Sequence, residues 1–398
     1  MPAVAWPAAD VKQALTVPVR WANPPDACWS STPTEPAMRQ PNPPVPFHAA
    51  MEVAEPGEAD TIAELRDVFV DMARKVAETE GHAFRAVHAK GQALLKARFD
   101  VLDGLDPAMA QGLFAEPGSH EAIVRFSSPP AEQLPDTVST PRAIAIKVLG
   151  VEGPRVAESE EQHSQDFLMV NGPVFSSPGP KGFLRASKLL AATTERMPRT
   201  KAVISATLRA GENLLESMGG GSGKIKGMGG QPQVHPLGET FFTQVPFRYG
   251  PYVAKFALRP LSPALLALEG ISLANEAEAQ RDAIQDVLAK TGEPLTWALC
   301  AQLCRDEETM PIEDASVEWP EEASPFVPVA HLHIARQIAW DDAESPAIED
   351  RLAFSPWHAL DAHRPLGALN RARKVVMAAS RAHRSSFNGC PFHEPDAS

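Results

Sequence analysis

The sequence predicts an α+β fold. Short apolar runs bounded by turn residues, at 122–128, 143–150, 243–260, 295–306 and 327–335, have the look of buried strands, while stretches at 61–80, 275–290 and 366–383 repeat their apolar residues at helical spacing. At 398 residues the chain can bury a sizeable core, as one large domain with appendages or as two.

Residues 1–58 are crowded with proline: Pro24, Pro25, Pro33, Pro36, Pro41, Pro43, Pro44 and Pro46. Each removes an amide donor and forces extended backbone, so this segment reads as an arm rather than a folded unit. Trp6, Trp21 and Trp29 would be odd in a free tail. They imply an arm lying on its own body or on a second subunit, with plain disorder as the alternative. A helix follows, with Thr61 and Glu64 at capping-box spacing, a stripe of Ile62, Leu65, Val68, Phe69, Met72 and Val76, and Gly81 to end it.

The rest of the chain is organised around Phe84-Arg85-Ala86-Val87-His88-Ala89-Lys90-Gly91. Val87 and the alanines favour burial while Arg85 and Lys90 need charge partners, so His88 is not solvated on both sides. From these eight residues alone, the plainer reading is a core histidine held by one hydrogen bond. Downstream, the glycine-rich run at 219–233 invites comparison with a phosphate loop. That pattern needs a glycine five residues before the Gly-Lys pair and a hydroxyl after it, where Met218 and Ile225 stand, so a linker or surface loop is expected.

In the 295–306 run, Leu295, Trp297, Leu299, Ala301 and Leu303 fall on one face at period two; Cys300 and Cys304 share the other, too far apart to chelate one metal. The helix at 275–290 is stopped by Gly292 and Pro294. His331 and His333 project to one side of the next strand, but no carboxylate or cysteine at ligand spacing completes a metal site. Leu369, Ala372, Val376 and Ala379 form the stripe of the last helix.

Composition narrows the partners. A net charge of -13 argues against nucleic acid and anionic membranes, because phosphates would repel it, and points to a small, neutral or apolar substrate. Cys28, Cys300, Cys304 and Cys390 are too few and scattered for a disulfide framework and read as reduced thiols. With no signal-like amino terminus and no run apolar enough to span a bilayer, a cytoplasmic location is expected.

Five stretches, in order, carry a more specific message: Arg85 to Gly91 (RAVHAKG), Ile123 to Ser127 (IVRFS), Asp136 to Lys147 (DTVSTPRAIAIK), Asp166 to Phe175 (DFLMVNGPVF) and Asn370 to Arg384 (NRARKVVMAASRAHR). Together they resemble the haem catalases, in particular the shorter catalase-related group of peroxidases and hydroperoxide-processing enzymes, over about residues 60–385. The resemblance implies a catalase-like antiparallel eight-stranded β-barrel with flanking helices. The chain would divide into the arm (1–58), a barrel domain with helical insertions (59–340), and a wrapping segment with the last helix and tail (341–398).

It also implies haem b as cofactor. A haem peroxidase moves one proton from the inner to the outer oxygen of a peroxide, so that the O–O bond breaks heterolytically and water leaves. By resemblance His88 is that base and Asn171 the amide that holds the outer oxygen. Val87 narrows the channel, Phe175 and Phe183 wall the pocket, and Ser127 orients the His88 ring. Typical catalases carry a glycine, two asparagines and a threonine before the proline; Val170-Asn171-Gly172-Pro173 is shorter. Arg85 and Arg125 match the arginines that face the haem propionates, ordinary ion pairs being the plainer reading.

On the other side of the haem, family members place an arginine one helical turn before an iron-ligating tyrosine. Here Arg373 is followed four residues later by Met377, and the only tyrosines are Tyr249 and Tyr252, far upstream. A thioether is neutral and prefers ferrous iron. Met377 would ligate iron weakly, leave it five-coordinate with water or another side chain, or mark a chain that binds no haem; poor hydrogen peroxide dismutation is expected in each case. Cys390-Pro391, with His393 nearby, resembles a short haem-regulatory dipeptide, but it is common by chance and a plain tail is the simpler reading.

The expected function is a haem-dependent, peroxidase- or catalase-like oxidoreductase acting on hydrogen peroxide or organic hydroperoxides, with an organic reductant, in a homo-oligomer. The alternatives are a catalase-fold protein that binds haem or another small molecule without turnover, and a haem-free enzyme reusing the pocket and His88.

Overall fold

The computed structural model describes residues 41–157, 159, 162–193 and 232–395. Trp6, Trp21, Trp29, Cys28 and the glycine-rich run at 219–230 lie outside the described residues.

Nine strands are found among the described residues: β1 (Lys90–Val101), β2 (Gly118–Ser128), β3 (Ala143–Leu149), β4 (Ser164–Val170), β5 (Phe241–Phe242), β6 (Phe247–Tyr249), β7 (Tyr252–Pro260), β8 (Leu295–Leu303) and β9 (Val327–Ile334). All pair antiparallel in the order β5-β4-β3-β2-β1-β9-β8-β7-β6, and β5 also pairs with β7. Eight strands therefore close into a barrel, with β6 folded back on β7 outside the ring. The β5–β7 pairing joins the two ends of the eight-stranded ring.

Alternation fills the barrel. Val124 and Phe126 on β2, Ile144 and Ile146 on β3, Phe167 and Met169 on β4, and Trp297 and Leu299 on β8 all join one buried cluster. The residues between them point outward. Register sets Arg125 opposite Ala145 and Ala145 opposite Leu168, and beside that row Ser127 opposite Ala143 and Ala143 opposite Val170. These two rows form a small patch on the outer wall, largely apolar but carrying one arginine and one serine.

Helices α1 (Glu58–Glu80), α2 (Pro180–Thr193) and α5 (Ala368–Asn388) cover that patch; α3 (Ala279–Lys290) packs on β1, and α4 (Ser345–Arg351) packs on α5 and reaches Arg125 of the patch through Glu349. Ile62, Leu65, Phe69 and Ala73 of α1 meet Leu184 of α2 and Ala372 and Val376 of α5 in a second buried cluster. The predicted stripes of α1 and α5 are thus the faces in contact.

Two local expectations are corrected. Thr61 does not cap α1. The helix starts at Glu58 behind a left-handed Gly57 (φ 75°), and the Thr61 hydroxyl donates back to the Gly57 carbonyl at 3.0 Å. Glu58 at the positive end of the helix is held by Arg371 of α5 at 2.6 Å, which ties the start of α1 to the last helix. Gly81 does end α1, in the left-handed conformation (φ 72°).

The second correction is β1, the longest strand, which no sequence pattern flagged. Its residues, KGQALLKARFDV, are mostly helix formers with one β-branched residue, Val101. Pairing along its length with β2, and at its end with β9, overrides that preference. Gly91 sits at its start because a Cβ there would lie 2.6 Å from Cζ3 of Trp340 and 3.1 Å from Oε1 of Glu349. Gly91→Ala is expected to lower unfolding free energy by about 1–3 kcal/mol through overpacking, measurable by urea denaturation.

Cys300 and Cys304 are free and buried, and burial pushes both thiols up to about 11. His333 reaches Asp100 at 3.2 Å through Nε2 and the Thr296 hydroxyl at 3.0 Å through Nδ1, so both ring nitrogens are engaged by neighbouring strands. No helix among the described residues is long and apolar enough to cross a membrane.

Candidate active site

The chain passes from α1 to β1 through Arg85-Ala86-Val87-His88, between the helix layer and the outward patch of the barrel. His88 takes a left-handed backbone conformation, φ 59°, which few side chains adopt. Its N–H donates to the Pro129 carbonyl at 2.8 Å and its carbonyl accepts from Arg125 Nη2 at 2.9 Å. The surrounding bonds therefore over-determine the residue and hold the ring in one place.

On that ring, Nδ1 lies 3.3 Å from the Ser127 hydroxyl, and Nε2 makes no hydrogen bond to the described residues. Burial, then the nearby charges of Arg125, Arg373 and Arg85, push His88 down to about 3. The imidazole is consequently a neutral base at any physiological pH.

It faces a cavity of about 300 Å³. Arg85, Val87, His88, Arg125, Ser127, Phe175, Phe183, Arg373 and Met377 all line this space, so it brings together residues spread over nearly three hundred positions of sequence. The Phe175 and Phe183 rings meet edge-on at 5.0 Å, and Phe69 of α1 packs on Phe183 at 5.6 Å.

Asn171 stands outside the lining. Its Oδ1 accepts from the Arg142 amide and its Nδ2 donates to Glu239 Oε1, both at 2.9 Å. Asn171 is the first residue past β4, and these two bonds tie its side chain to Arg142 and Glu239. The amide residues that do line the cavity are Gln162 and Gln244; Gln244 is left-handed at φ 63°, and its Nε2 donates to the carbonyls of Gly172 and Val174.

Arg85 and Arg125 have a partner that sequence reasoning missed. Glu349, buried at the end of α4, accepts from Arg85 Nη1 at 2.7 Å and from Nε and Nη2 of Arg125. Arg384 joins them, donating to the carbonyls of Glu349 at 3.2 Å and Leu352 at 3.0 Å, while Arg85 Nη2 reaches the same two carbonyls. Burial alone would raise the Glu349 carboxyl, but Arg125 and Arg85 outweigh it and hold it at about 2. Arg384 could have been found from spacing, since positions 373, 377, 380 and 384 share one face of a helix. Glu349 could not, because nothing in its own neighbourhood marks it.

A second imidazole, also missed, lines the cavity further along. His358 Nδ1 is 3.0 Å from Asp166 Oδ2, and Asp166 is 2.9 Å from Lys147, both of them fully buried. Glu394 of the tail closes this group at 2.7 Å from Lys147. Among the described residues no group of three or more histidines, cysteines or carboxylates is placed to hold a metal ion.

No family model matches the chain, and no curated protein matches it. Solved structures do. A fungal catalase superposes with a TM-score of 0.52 at 19% identity, covering 78% of this chain and 61% of its own. Catalase A from Saccharomyces cerevisiae gives 0.53 at 19%, covering 78% and 63%, and a bacterial catalase gives 0.51 at 15%, covering 79% and 60%. The chain therefore has the fold of the catalases: a closed eight-stranded antiparallel barrel with flanking helices. It spans somewhat less than two thirds of the length of those chains.

Proposed function

We propose that this protein binds haem b and processes hydroperoxides, with His88 as the base that moves the proton. The observation that supports this reading best is a neutral imidazole whose Nε2 is open to a largely apolar cavity lined with arginines.

The residues present fit haem in charge and in wall. Arg85, Arg125 and Arg384 are balanced by the single carboxylate of Glu349, which leaves two positive charges for two propionates. Donors remain as well, because Nη1 of Arg125 and Nε of Arg384 make no hydrogen bond to the described residues. Phe175, Phe183 and Val87 supply an apolar wall. The axial position departs from the family pattern, with Met377 where a tyrosine is expected.

Haem, when bound, would supply the redox chemistry of O–O cleavage. His88 would accept a proton at Nε2 from the inner oxygen of the peroxide and return it to the outer oxygen, releasing water from hydrogen peroxide or an alcohol from an organic hydroperoxide. Ser127 would keep the ring in register through Nδ1. With a thioether at position 377, weak hydrogen peroxide dismutation is expected, and turnover would rely on an organic reductant.

Met377 also favours a second reading, a protein that holds haem or another small molecule without turnover. The visible spectrum of the purified protein separates the two. A Soret band that shifts on adding peroxide supports the first, and a band indifferent to peroxide supports the second. No band after haem supplementation removes haem from both and leaves a haem-free enzyme built on His88. Met377→Tyr is expected to raise peroxide consumption in the haem-loaded protein; full loading with no gain would count against the axial argument.

A further inference from the structure

Arg373 is a half-buried cation facing the cavity, with no counter-ion among the described residues. It lies on the cavity-lining face of α5, among Leu369, Ala372, Val376 and Met377. Arg371, two residues earlier, shows how the chain normally satisfies such a group: it is bound by Glu52, Glu58 and Glu313. Arg85 and Arg125 share Glu349. Among the described residues Arg373 has no carboxylate partner, and its one hydrogen bond runs from Nη1 to Asn370 Oδ1 at 3.5 Å, the outer limit for such a bond.

A guanidinium cannot shed its charge at physiological pH, so burial in an apolar setting is unfavourable until an anion arrives. Burial alone pushes Arg373 down to about 10, with no neighbouring carboxylate pushing back. The cavity around it is positive too, since Arg373, Arg125 and Arg85 act together to depress His88.

We propose that Arg373 is the receptor for a small monoanion from solvent, a carboxylate of about the size of formate, bound in the cavity beside Met377. One free guanidinium selects a single negative charge, and its planar fork matches a carboxylate with two parallel N–H donors. Leu369, Ala372, Val376 and Met377 give the site an apolar flank on α5. The site does not depend on haem, because every group that forms it belongs to α5 and the cavity wall.

The full-length protein is titrated with sodium formate at constant ionic strength held with sodium HEPES, and thermal unfolding and binding heat are recorded. The wild type is expected to show a saturable rise in midpoint and a measurable heat. Arg373→Gln is expected to unfold, without formate, at or above the wild-type midpoint, because a lone buried charge has been removed, and to bind formate at least about tenfold more weakly. Arg373→Lys, which keeps the charge but not the fork, is expected to keep a reduced rise. The proposal is overturned by a wild type indifferent to formate, by unchanged formate affinity in Arg373→Gln, or by a Gln variant that unfolds well below the wild type, since the last would make Arg373 a satisfied structural residue. Absence of a Soret band in the same samples would bear on the haem reading alone.

Discussion

Glu349→Gln is expected to destabilise the fold by about 3–5 kcal/mol, the range for removing one partner of a buried ionic cluster. The substitution preserves shape and removes the carboxylate that Arg85 and Arg125 share among the described residues, so the half-buried Arg85 and the buried Arg125 face each other uncompensated, with Arg384 close by. It also loosens the end of α4, which those arginines hold through the Glu349 side chain and the carbonyls of residues 349 and 352. Urea denaturation at pH 7 measures the effect, and a loss below about 1 kcal/mol, the level of a surface pair, would mean that the arginines are satisfied by other groups.

The same ion cluster has an acid limit. The Glu349 carboxyl drops from an ordinary value of 4.5 to about 2 in the folded protein, so its stabilisation is fully present above about pH 4.5 and is lost as pH falls towards 2. His88 acts in the same direction over a different window. Its folded value of about 3 lies below the ordinary 6.5, so between these limits the unfolded chain takes up a proton that the folded one refuses, and stability falls as pH drops through that range. In Glu349→Gln the loss between pH 4.5 and 2 should shrink, while the loss beginning near pH 6.5 should remain.

The second large effect concerns turnover. In haem-loaded protein, His88→Ala should lower peroxide consumption by about 10²- to 10⁴-fold, the usual contribution of a positioned base, with the Soret band retained. Because His88 is neutral down to about pH 3, the wild-type rate should show no acid limb from a histidine between pH 5 and 8. A limb near pH 6.5 that disappears in His88→Ala would mean that the ring is solvated in the working protein, contrary to its buried position beside three arginines.

Position 88 was readable in the sequence because its neighbours are local: Val87 and the flanking alanines demand burial, and Arg85 demands a partner. The cavity face of α5 was readable for the same reason, since helical spacing places Arg373 and Met377 together and makes the missing tyrosine visible. Strands with strict alternation, such as β8, declared themselves; β1 did not, because its helix-forming residues are held extended only by the strands on either side.

Composition and the two periodicities were enough for an α+β chain, and the resemblance carried by five short stretches implied its barrel and an imidazole in a pocket. Which groups meet that imidazole was a matter of folding in three dimensions. Glu349 lies 264 positions from Arg85 and 224 from Arg125, a pairing that no local pattern records. Bonds to Arg142 and Glu239 hold the Asn171 side chain away from the cavity lining, which its own shortened motif does not record. Short-range spacing governs the face a residue occupies, but the partner across that face comes from another part of the chain, and the charge balance of the pocket depends on that partner.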